Sequence, residues 1–386
     1  MIYLFLLLAL LSFDPLAHAL DRKMLSDVFS LNETLQPEDI PCPDTTPPGG
    51  SDGCPGLPAI KDSFSPKPED VLTVEEHTVK DALLHAFCPK QNDLSSCRPF
   101  PKELDLANTT GGFVTSGARY SASNLKSALA ADQRISRFVA SSKGKFRGLC
   151  DPSFHKPYAV EQVRECMKMP GMIGVGELNL NGDGSFSSTH TTAPAKIFLG
   201  QKKQGRQRFE AIAEAVQVAG GGTISVHLAD AHDPSSSEVD SLLEIARKYP
   251  KVTFIICHSG LFHGDGSKGF GLEGLKKIGK HFRDNPELPK NIWTDLSAVA
   301  GNLVLEDAFP DRCSFLARQA ELADAWREFG INRVLFASDG AVGPGGLASA
   351  DWTDKSITGI ISNPFLTAAE KQMIFSGNFE NLVSLY

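Results

Sequence analysis

Residues 334–340 read Val334-Leu-Phe-Ala-Ser-Asp339-Gly340, a short apolar segment that ends in a polar turn sequence. A short apolar run bounded by a turn signal is typical of a strand that is buried on both faces. The last residues of such a strand lie at its C-terminal end, where α/β proteins place their chemistry. Asp339 is therefore a candidate metal ligand or general base. The alternative is that Asp339 only caps the following turn, since Asp-Gly is a common turn pair.

The same strand pattern alternates with helical segments over most of the chain. In residues 206–219, for example, the apolar positions have the i, i+3, i+4, i+7 spacing of an amphipathic helix. A first strand is predicted at 78–87, a long loop at 88–120, and regular alternation from about residue 121. Strand–helix alternation makes a parallel sheet, and roughly eight such units predict an α/β fold that closes into a (β/α)8 TIM barrel. An open doubly wound sheet is the alternative, although no glycine fingerprint follows the first strand.

The first 70 residues are predicted to lie outside the barrel. Residues 1–19 contain a continuous apolar run and the small-x-small sequence Ala17-His18-Ala19, which indicate a signal peptide and a secreted or periplasmic protein. Residues 20–70 are rich in Pro, Gly, Ser and Asp and predict an extended arm. The barrel would then occupy residues 71–386. The net charge of −8 makes nucleic acid a poor candidate partner, and no later stretch is long enough to span a bilayer.

Eight cysteines are consistent with an oxidising compartment. Their spacing does not match a zinc–thiolate site, so disulfides are predicted instead. The connectivity is open; pairing neighbours along the chain would give Cys42–Cys54, Cys88–Cys97, Cys150–Cys166 and Cys257–Cys313. Asn32 and Asn108 begin N-glycosylation triplets, which would make the protein a glycoprotein in a eukaryotic host.

Polar residues terminate the predicted strands, and all are of the kinds that bind metal ions. They are His85, Glu177, His227, His258 and Asp339. Side chains at the mouth of a barrel converge on its axis, and imidazoles with carboxylates suit a divalent metal, zinc above all. Each residue alone has an ordinary structural alternative, such as a hydrogen-bonded histidine at the barrel rim. The occurrence of all five residues at the ends of predicted strands favours a metal site.

Several of these sequences resemble motifs of the amidohydrolase superfamily. Val-His227, Cys-His258-Ser-Gly260 and Phe-Ala-Ser-Asp339-Gly are similar to its strand-five, strand-six and strand-eight motifs. The segment from Leu366 to Val383 is similar to the closing helix and Gly-Asn signature of its amidohydrolase-2 branch, which contains metal-dependent TIM-barrel hydrolases and decarboxylases.

Strand one departs from the superfamily pattern of Asp-x-His-x-His. This chain has Asp81-Ala-Leu83-Leu-His85, with a leucine where one ligand histidine is expected. Glu177 resembles the strand-four glutamate of TatD-type metallohydrolases and would compensate for the missing ligand.

The resemblance implies a metal-dependent hydrolase that acts on a small-molecule amide, ester or lactone. One or two divalent ions, with zinc preferred, would be held by His85, Glu177, His227 and Asp339. Asp339 would also act as the catalytic base, and His258 would stabilise an oxyanion or bind a second metal. The alternatives are a decarboxylase on the same site, a degenerate barrel that binds without catalysis, and a TatD-type phosphodiesterase. A phosphodiesterase would need basic residues near the mouth, for which Lys202, Lys203, Arg206 and Arg208 are candidates.

Overall fold

The computed structural model describes residues 79–85, 109–116, 122–180, 203–228, 237–260, 271–297, 312–338 and 356–386. All of them belong to the compact unit Gly56–Tyr386. Eight strands form one sheet in the order β1 to β8, and each strand is parallel to the next. The strands are β1 Val79–His85, β2 Thr109–Thr115, β3 Phe146–Cys150, β4 Met172–Asn179, β5 Gly222–His227, β6 Val252–Ile256, β7 Ile292–Asp295 and β8 Val334–Leu335.

The sheet closes on itself through contacts between β1 and the residues that follow β8. The Ala82 amide donates a hydrogen bond of 2.9 Å to the Phe336 carbonyl. The Asp81 carboxylate accepts the Ser338 amide at 3.1 Å and the Ser338 hydroxyl at 2.6 Å. The predicted (β/α)8 TIM barrel is confirmed, and Asp81 helps to hold its first and last strands together.

Helices follow most of the strands on the outside of the barrel. They are α1 Leu125–Ser141, α2 Ala159–Cys166, α3 Lys203–Val218, α4 Ser237–Lys248, α5 Gly271–Asp284, α6 Arg312–Phe329, α7 at 356–361, α8 Ala368–Gln372 and α9 Asn378–Val383. The predicted apolar face of α3 is buried throughout. Asn124 and Thr367 begin α1 and α8 with reciprocal capping boxes, which satisfy the first exposed amides of each helix. None of the helices in the described ranges is long and apolar enough to cross a membrane.

Strand β2 lies inside the segment that the sequence predicted to be a loop. Its sequence, Thr-Thr-Gly-Gly-Phe-Val-Thr, has two adjacent glycines, which ordinarily weaken a strand. Here they allow the backbones to approach closely. A Cβ at Gly111 would lie 2.2 Å from the Lys145 carbonyl oxygen, and one at Gly112 would lie 2.1 Å from the Asp81 carbonyl oxygen. The loop prediction was therefore wrong for residues 109–115.

The C-terminal helix α9 packs against the end of the barrel at which the strands begin. Phe379 and Leu382 belong to the same apolar cluster as the barrel residues Phe113, Leu149 and Leu335. The Phe113 and Phe379 rings are 4.7 Å apart between centroids. The Asn378 side-chain amide donates hydrogen bonds to the carbonyls of Ile331 and Val334, at the beginning of β8. These contacts leave the opposite end, where the strands terminate, for the candidate site.

One predicted disulfide is present and another is wrong. Cys150 and Cys166 are joined, which links the end of β3 to the end of α2. Cys257 forms no disulfide; its thiol is buried in the barrel interior, 3.1 Å from the Ser225 hydroxyl. Cys313 lies on the outer helix α6 and is disulfide-bonded, but not to Cys257. The inward direction of Cys257 is the reason that the predicted Cys257–Cys313 pair does not form. The other two predicted pairs lie outside the described residues.

Candidate functional site

Three of the five predicted site residues come together at the C-terminal ends of neighbouring strands. Glu177 is in β4, His227 is the last residue of β5, and His258 follows β6 in the 3-10 turn Cys257–Gly260. A Glu177 oxygen, Oε1, lies 3.1 Å from His227 Nδ1 and 3.6 Å from His258 Nε2. The two imidazole rings meet edge to face, with centroids 4.7 Å apart. All three side chains are buried, with exposures of 4%, 8% and 5%.

The donor set of this group fits a divalent metal ion. One carboxylate and two imidazoles each offer a ligand atom, and these atoms all lie within 4.8 Å of one another. Bonds of about 2.0–2.2 Å in a tetrahedral shell separate neighbouring ligand atoms by roughly 3.3–3.6 Å. The two measured separations, 3.1 and 3.6 Å, lie at or near that range. The residues therefore converge closely enough to share one ion without a large rearrangement.

An unusual backbone turn directs His258 toward this group. His258 has φ 59° and ψ 29°, and Ser259 has φ 53° and ψ 28°, so both adopt the left-handed conformation that costs non-glycine residues about 1–2 kcal/mol each. The Asp295 carboxylate accepts the His258 amide at 2.9 Å, and the Ser259 hydroxyl donates to the Asp295 carbonyl at 3.1 Å. These bonds offset the cost of the turn. The sequence predicted a strand through His258, whereas β6 ends at Ile256 and the turn sets the ring direction.

Ser297 determines which nitrogen of His258 carries the proton in the neutral ring. His258 Nδ1 lies 3.0 Å from the Ser297 carbonyl oxygen and 2.9 Å from its hydroxyl oxygen. The carbonyl can only accept, and the Ser297 hydroxyl donates its single proton to Asp295 Oδ1. Nδ1 must therefore be the donor, which leaves a lone pair on Nε2 facing Glu177. A lone pair and a carboxylate oxygen repel each other unless a proton or a metal ion lies between them.

Asp295 is a site residue that the sequence analysis did not identify. It ends β7 and is completely buried, and its Oδ1 accepts hydrogen bonds from the amides of His258 and Ser297 and from the Ser297 hydroxyl. Burial raises the pKa of Asp295 above its ordinary value, although His258 and the Ser297 hydrogen bonds act in the opposite direction. The signal was present as Trp-Thr-Asp295, an aspartate that ends an apolar run. It was missed because the strand was predicted to continue to Ser297.

The remaining predicted ligands are only partly described. His85 is the last residue of β1, at the same end of the barrel as Glu177, His227 and His258, which we call the Glu177 group. The side chain of His85 is not among those described. Asp339 lies outside the described residues, immediately after Ser338. Within the described ranges, Glu177, His227 and His258 form a group of three side chains that could hold a metal ion.

Solved structures that resemble this chain include two decarboxylases and a hydratase. A 2,6-dihydroxybenzoate decarboxylase complexed with 2,6-dihydroxybenzoate matches with 16% identity and a TM-score of 0.47, over 80% of this chain and 99% of the other. A dihydroxybenzoic acid decarboxylase from Polaromonas sp. JS666, with bound manganese and 2-nitroresorcinol, matches with 19% identity and a TM-score of 0.42, over 74% and 84%. A 4-oxalomesaconate hydratase from Rhodopseudomonas palustris matches with 16% identity and a TM-score of 0.42, over 74% and 79%.

Sequence comparison assigns the family. No curated protein sequence matches this chain. The family model described as Amidohydrolase (Amidohydro_2) matches residues 113–383. This range contains the end of β2, all of β3 to β8 and all three residues of the Glu177 group, but no part of β1. This match spans more than half of the chain. The chain therefore belongs to the amidohydrolase family of TIM-barrel proteins, in the amidohydrolase-2 branch.

Proposed function

We propose that this protein is a metal-dependent hydrolase that cleaves a small-molecule amide, ester or lactone. The observation that carries the proposal is the buried group of Glu177, His227 and His258 at the C-terminal ends of three adjacent strands. TIM-barrel enzymes place their active sites at this end. A carboxylate with two imidazoles is a donor set suited to zinc. His85 and Asp339, at the ends of β1 and after β8, complete the proposed ligand set.

A bound divalent ion would supply Lewis acidity toward a substrate oxygen and would acidify water at neutral pH. The protein supplies the rest of the chemistry. Asp339 would accept the proton of the attacking water and return it to the leaving group. The buried position of Glu177 and both histidines excludes bulk water, so charges in the site interact more strongly than they would in solvent.

The hydrogen bonds of His258 favour one of its two proposed roles. With Nδ1 donating to Ser297, the neutral ring has no proton on Nε2 to donate to an oxyanion. Its lone pair instead faces Glu177 Oε1 at 3.6 Å. We therefore favour His258 as a metal ligand over His258 as an oxyanion donor, and Asp295 with Ser297 as the residues that position it.

The rival functions differ in how well the described residues support them. A decarboxylase would use the same ligands, so it remains the second candidate. A phosphodiesterase would need unpaired cations near the mouth, but the candidate Arg206 is paired with Glu210 and Glu244. A non-catalytic binding barrel is favoured only by Leu83, which replaces a ligand histidine.

We also propose that the protein acts outside the cytoplasm. The signal-peptide pattern of residues 1–19 supports this, and so does the Cys150–Cys166 disulfide, because such bonds persist in oxidising compartments.

Elemental analysis of the purified full-length protein tests the metal site. We expect about one or two equivalents of zinc or another divalent transition metal in the native protein, and a large loss in His227→Ala. His281→Ala, which removes a histidine from the outer helix α5, is the matched control and should retain the metal. Absence of metal before and after reconstitution would contradict any metal-dependent enzyme.

Product analysis then separates hydrolysis from decarboxylation. The loaded protein would be assayed against amide, ester and lactone panels, with carbon dioxide release measured on aromatic carboxylates in parallel. Turnover of the first set that is lost in His227→Ala supports a hydrolase. Carbon dioxide release without hydrolysis of any panel would show instead that the protein is a decarboxylase.

A further inference from the structure

A cavity of about 680 Å³ lies at the end of the barrel opposite the Glu177 group. Its walls come from the residues just before β6, β7 and β8 and from the C-terminal segment. Lys251 precedes β6, Lys290 and Asn291 precede β7, and Arg333 precedes β8. We call this space the basal cavity. Its volume is within the range of small-molecule sites, about 300–1,000 Å³.

The charged side chains that line the basal cavity are all cationic. Lys251 and Lys290 are exposed at its rim, and Arg333 is buried in its wall. Within the described part of the chain, none of the three is paired with a carboxylate. The Arg333 guanidinium donates to the carbonyls of Ile292 and Phe329 and stacks on two phenylalanine rings. Its charge is thus held in place without being neutralised, which makes the cavity favourable for an anion.

Flat apolar surface lies beside these cations. The cavity is lined by Trp293, which is 6% exposed, and by Leu385 and Tyr386, which are 63% and 46% exposed. A buried tryptophan usually donates its indole N–H, as Trp326 does to Ser259. Trp293 Nε1 has no hydrogen-bond acceptor among the described residues. This nitrogen is itself buried, so Trp293 contributes ring surface, not a hydrogen-bond donor, to the cavity wall.

We propose that the basal cavity is a second ligand site that binds a small organic anion with a flat apolar body. The anionic group would lie near Lys251, Lys290 and Arg333, and the body would pack against Trp293 and Tyr386. A rigid aromatic carboxylate or sulfonate has both properties. This inference does not depend on the proposed hydrolase activity, because none of these residues belongs to the Glu177 group.

Fluorescence titration of the full-length protein with 8-anilinonaphthalene-1-sulfonate tests the site. This probe is an aromatic sulfonate whose emission rises in apolar surroundings. We expect saturable binding that benzoate displaces and that benzyl alcohol, of similar shape but uncharged, does not. The double variant Lys251→Gln/Lys290→Gln should bind at least about tenfold more weakly, since two charged contacts are lost.

A second pair of lysines provides the matched control. Lys277 and Lys280 are exposed on α5 and pair with Asp240 and Asp284, away from the cavity. Lys277→Gln/Lys280→Gln makes the same change in net charge and should bind the probe like the native protein. Equal affinity in the two lysine double variants, or no saturable binding by the native protein, would overturn the proposal.

Discussion

Two clusters of side chains near strand ends in this barrel contain a buried carboxylate, and the groups that contact the carboxylate differ between them. At the mouth, Glu177 faces the imidazoles of His227 and His258. Between α1, β3 and α2, Asp132 accepts the Asp151 amide at 3.2 Å and the Gln162 side-chain amide at 2.8 Å. The Gln162 amide also donates to the Asp151 carbonyl. We call the second group the Asp132 cluster.

The difference in partners indicates a difference in role. In the Asp132 cluster, hydrogen bonds join side chains of α1 and α2 to each other and to the backbone of Asp151, beside the Cys150–Cys166 disulfide, as expected of a structural brace. Imidazoles from successive strands surround Glu177, as expected of a ligand set. Asp151 directly follows β3 and Glu177 belongs to β4, so position along the strand does not distinguish them. The neighbouring side chains do.

The largest expected effect is on metal binding at the mouth. Glu177→Gln keeps the shape of the side chain but removes its charge, so we expect affinity for zinc to fall more than about 100-fold. Elemental analysis and competition with a chromogenic chelator measure this. Asp132→Asn, which makes the same chemical change in the other cluster, should retain the metal. The comparison would fail if Asp132→Asn lost the metal and Glu177→Gln kept it.

The next effect concerns the pH dependence of stability. Burial and the nearby Asp151 raise the pKa of Asp132 to about 7, although the Gln162 hydrogen bond opposes this shift. Because the folded state binds the proton more tightly, the contribution of Asp132 to stability is complete below about pH 4 and is lost as the pH rises through 7. Relative to the native protein, Asp132→Asn should therefore gain unfolding free energy from pH 4 to pH 8, by about 4 kcal/mol at most.

Urea unfolding in the presence of a chelator measures that gain without a contribution from metal. Asp284→Asn removes an exposed carboxylate on α5 and should show a nearly constant difference from the native protein. A constant difference for Asp132→Asn as well would mean that Asp132 is charged in the folded state near neutral pH.

A smaller effect is expected from the disulfide beside the Asp132 cluster. Cys150 and Cys166 are separated by 16 residues, and a closed loop of that size stabilises a protein by about 3 kcal/mol. The double variant Cys150→Ser/Cys166→Ser should lose approximately that amount in urea unfolding. It should still bind zinc with native affinity, since the disulfide does not contact the Glu177 group. Loss of metal binding would show that the two clusters are coupled.

The smallest effect on zinc affinity is expected from Ser297, which contacts His258 Nδ1. Ser297→Ala removes the hydroxyl that bonds to His258 Nδ1 and Asp295, but it leaves the backbone carbonyl that also faces Nδ1. We expect about tenfold weaker zinc binding, the lower end of the effect of residues that position a ligand. Ser136→Ala, which removes a buried hydroxyl bonded to the Pro170 carbonyl on the outer layer, should leave zinc affinity unchanged. Equal affinities in the two variants would contradict the positioning role of Ser297.

The sequence by itself determined the (β/α)8 architecture, because hydrophobic periodicity is a local property and almost every strand and helix shows it in its own sequence. It also predicted that Glu177, His227 and His258 lie close together, since polar residues that end apolar strands converge in a parallel barrel. Only the tertiary structure decided the rest. The left-handed turn at His258 depends on Asp295, which lies on another strand. The strand at Gly111 and Gly112 depends on the close approach of its neighbours, and the inward direction of Cys257 depends on packing in the barrel interior. Such features arise between segments distant in the chain, so no pattern within one segment specifies them.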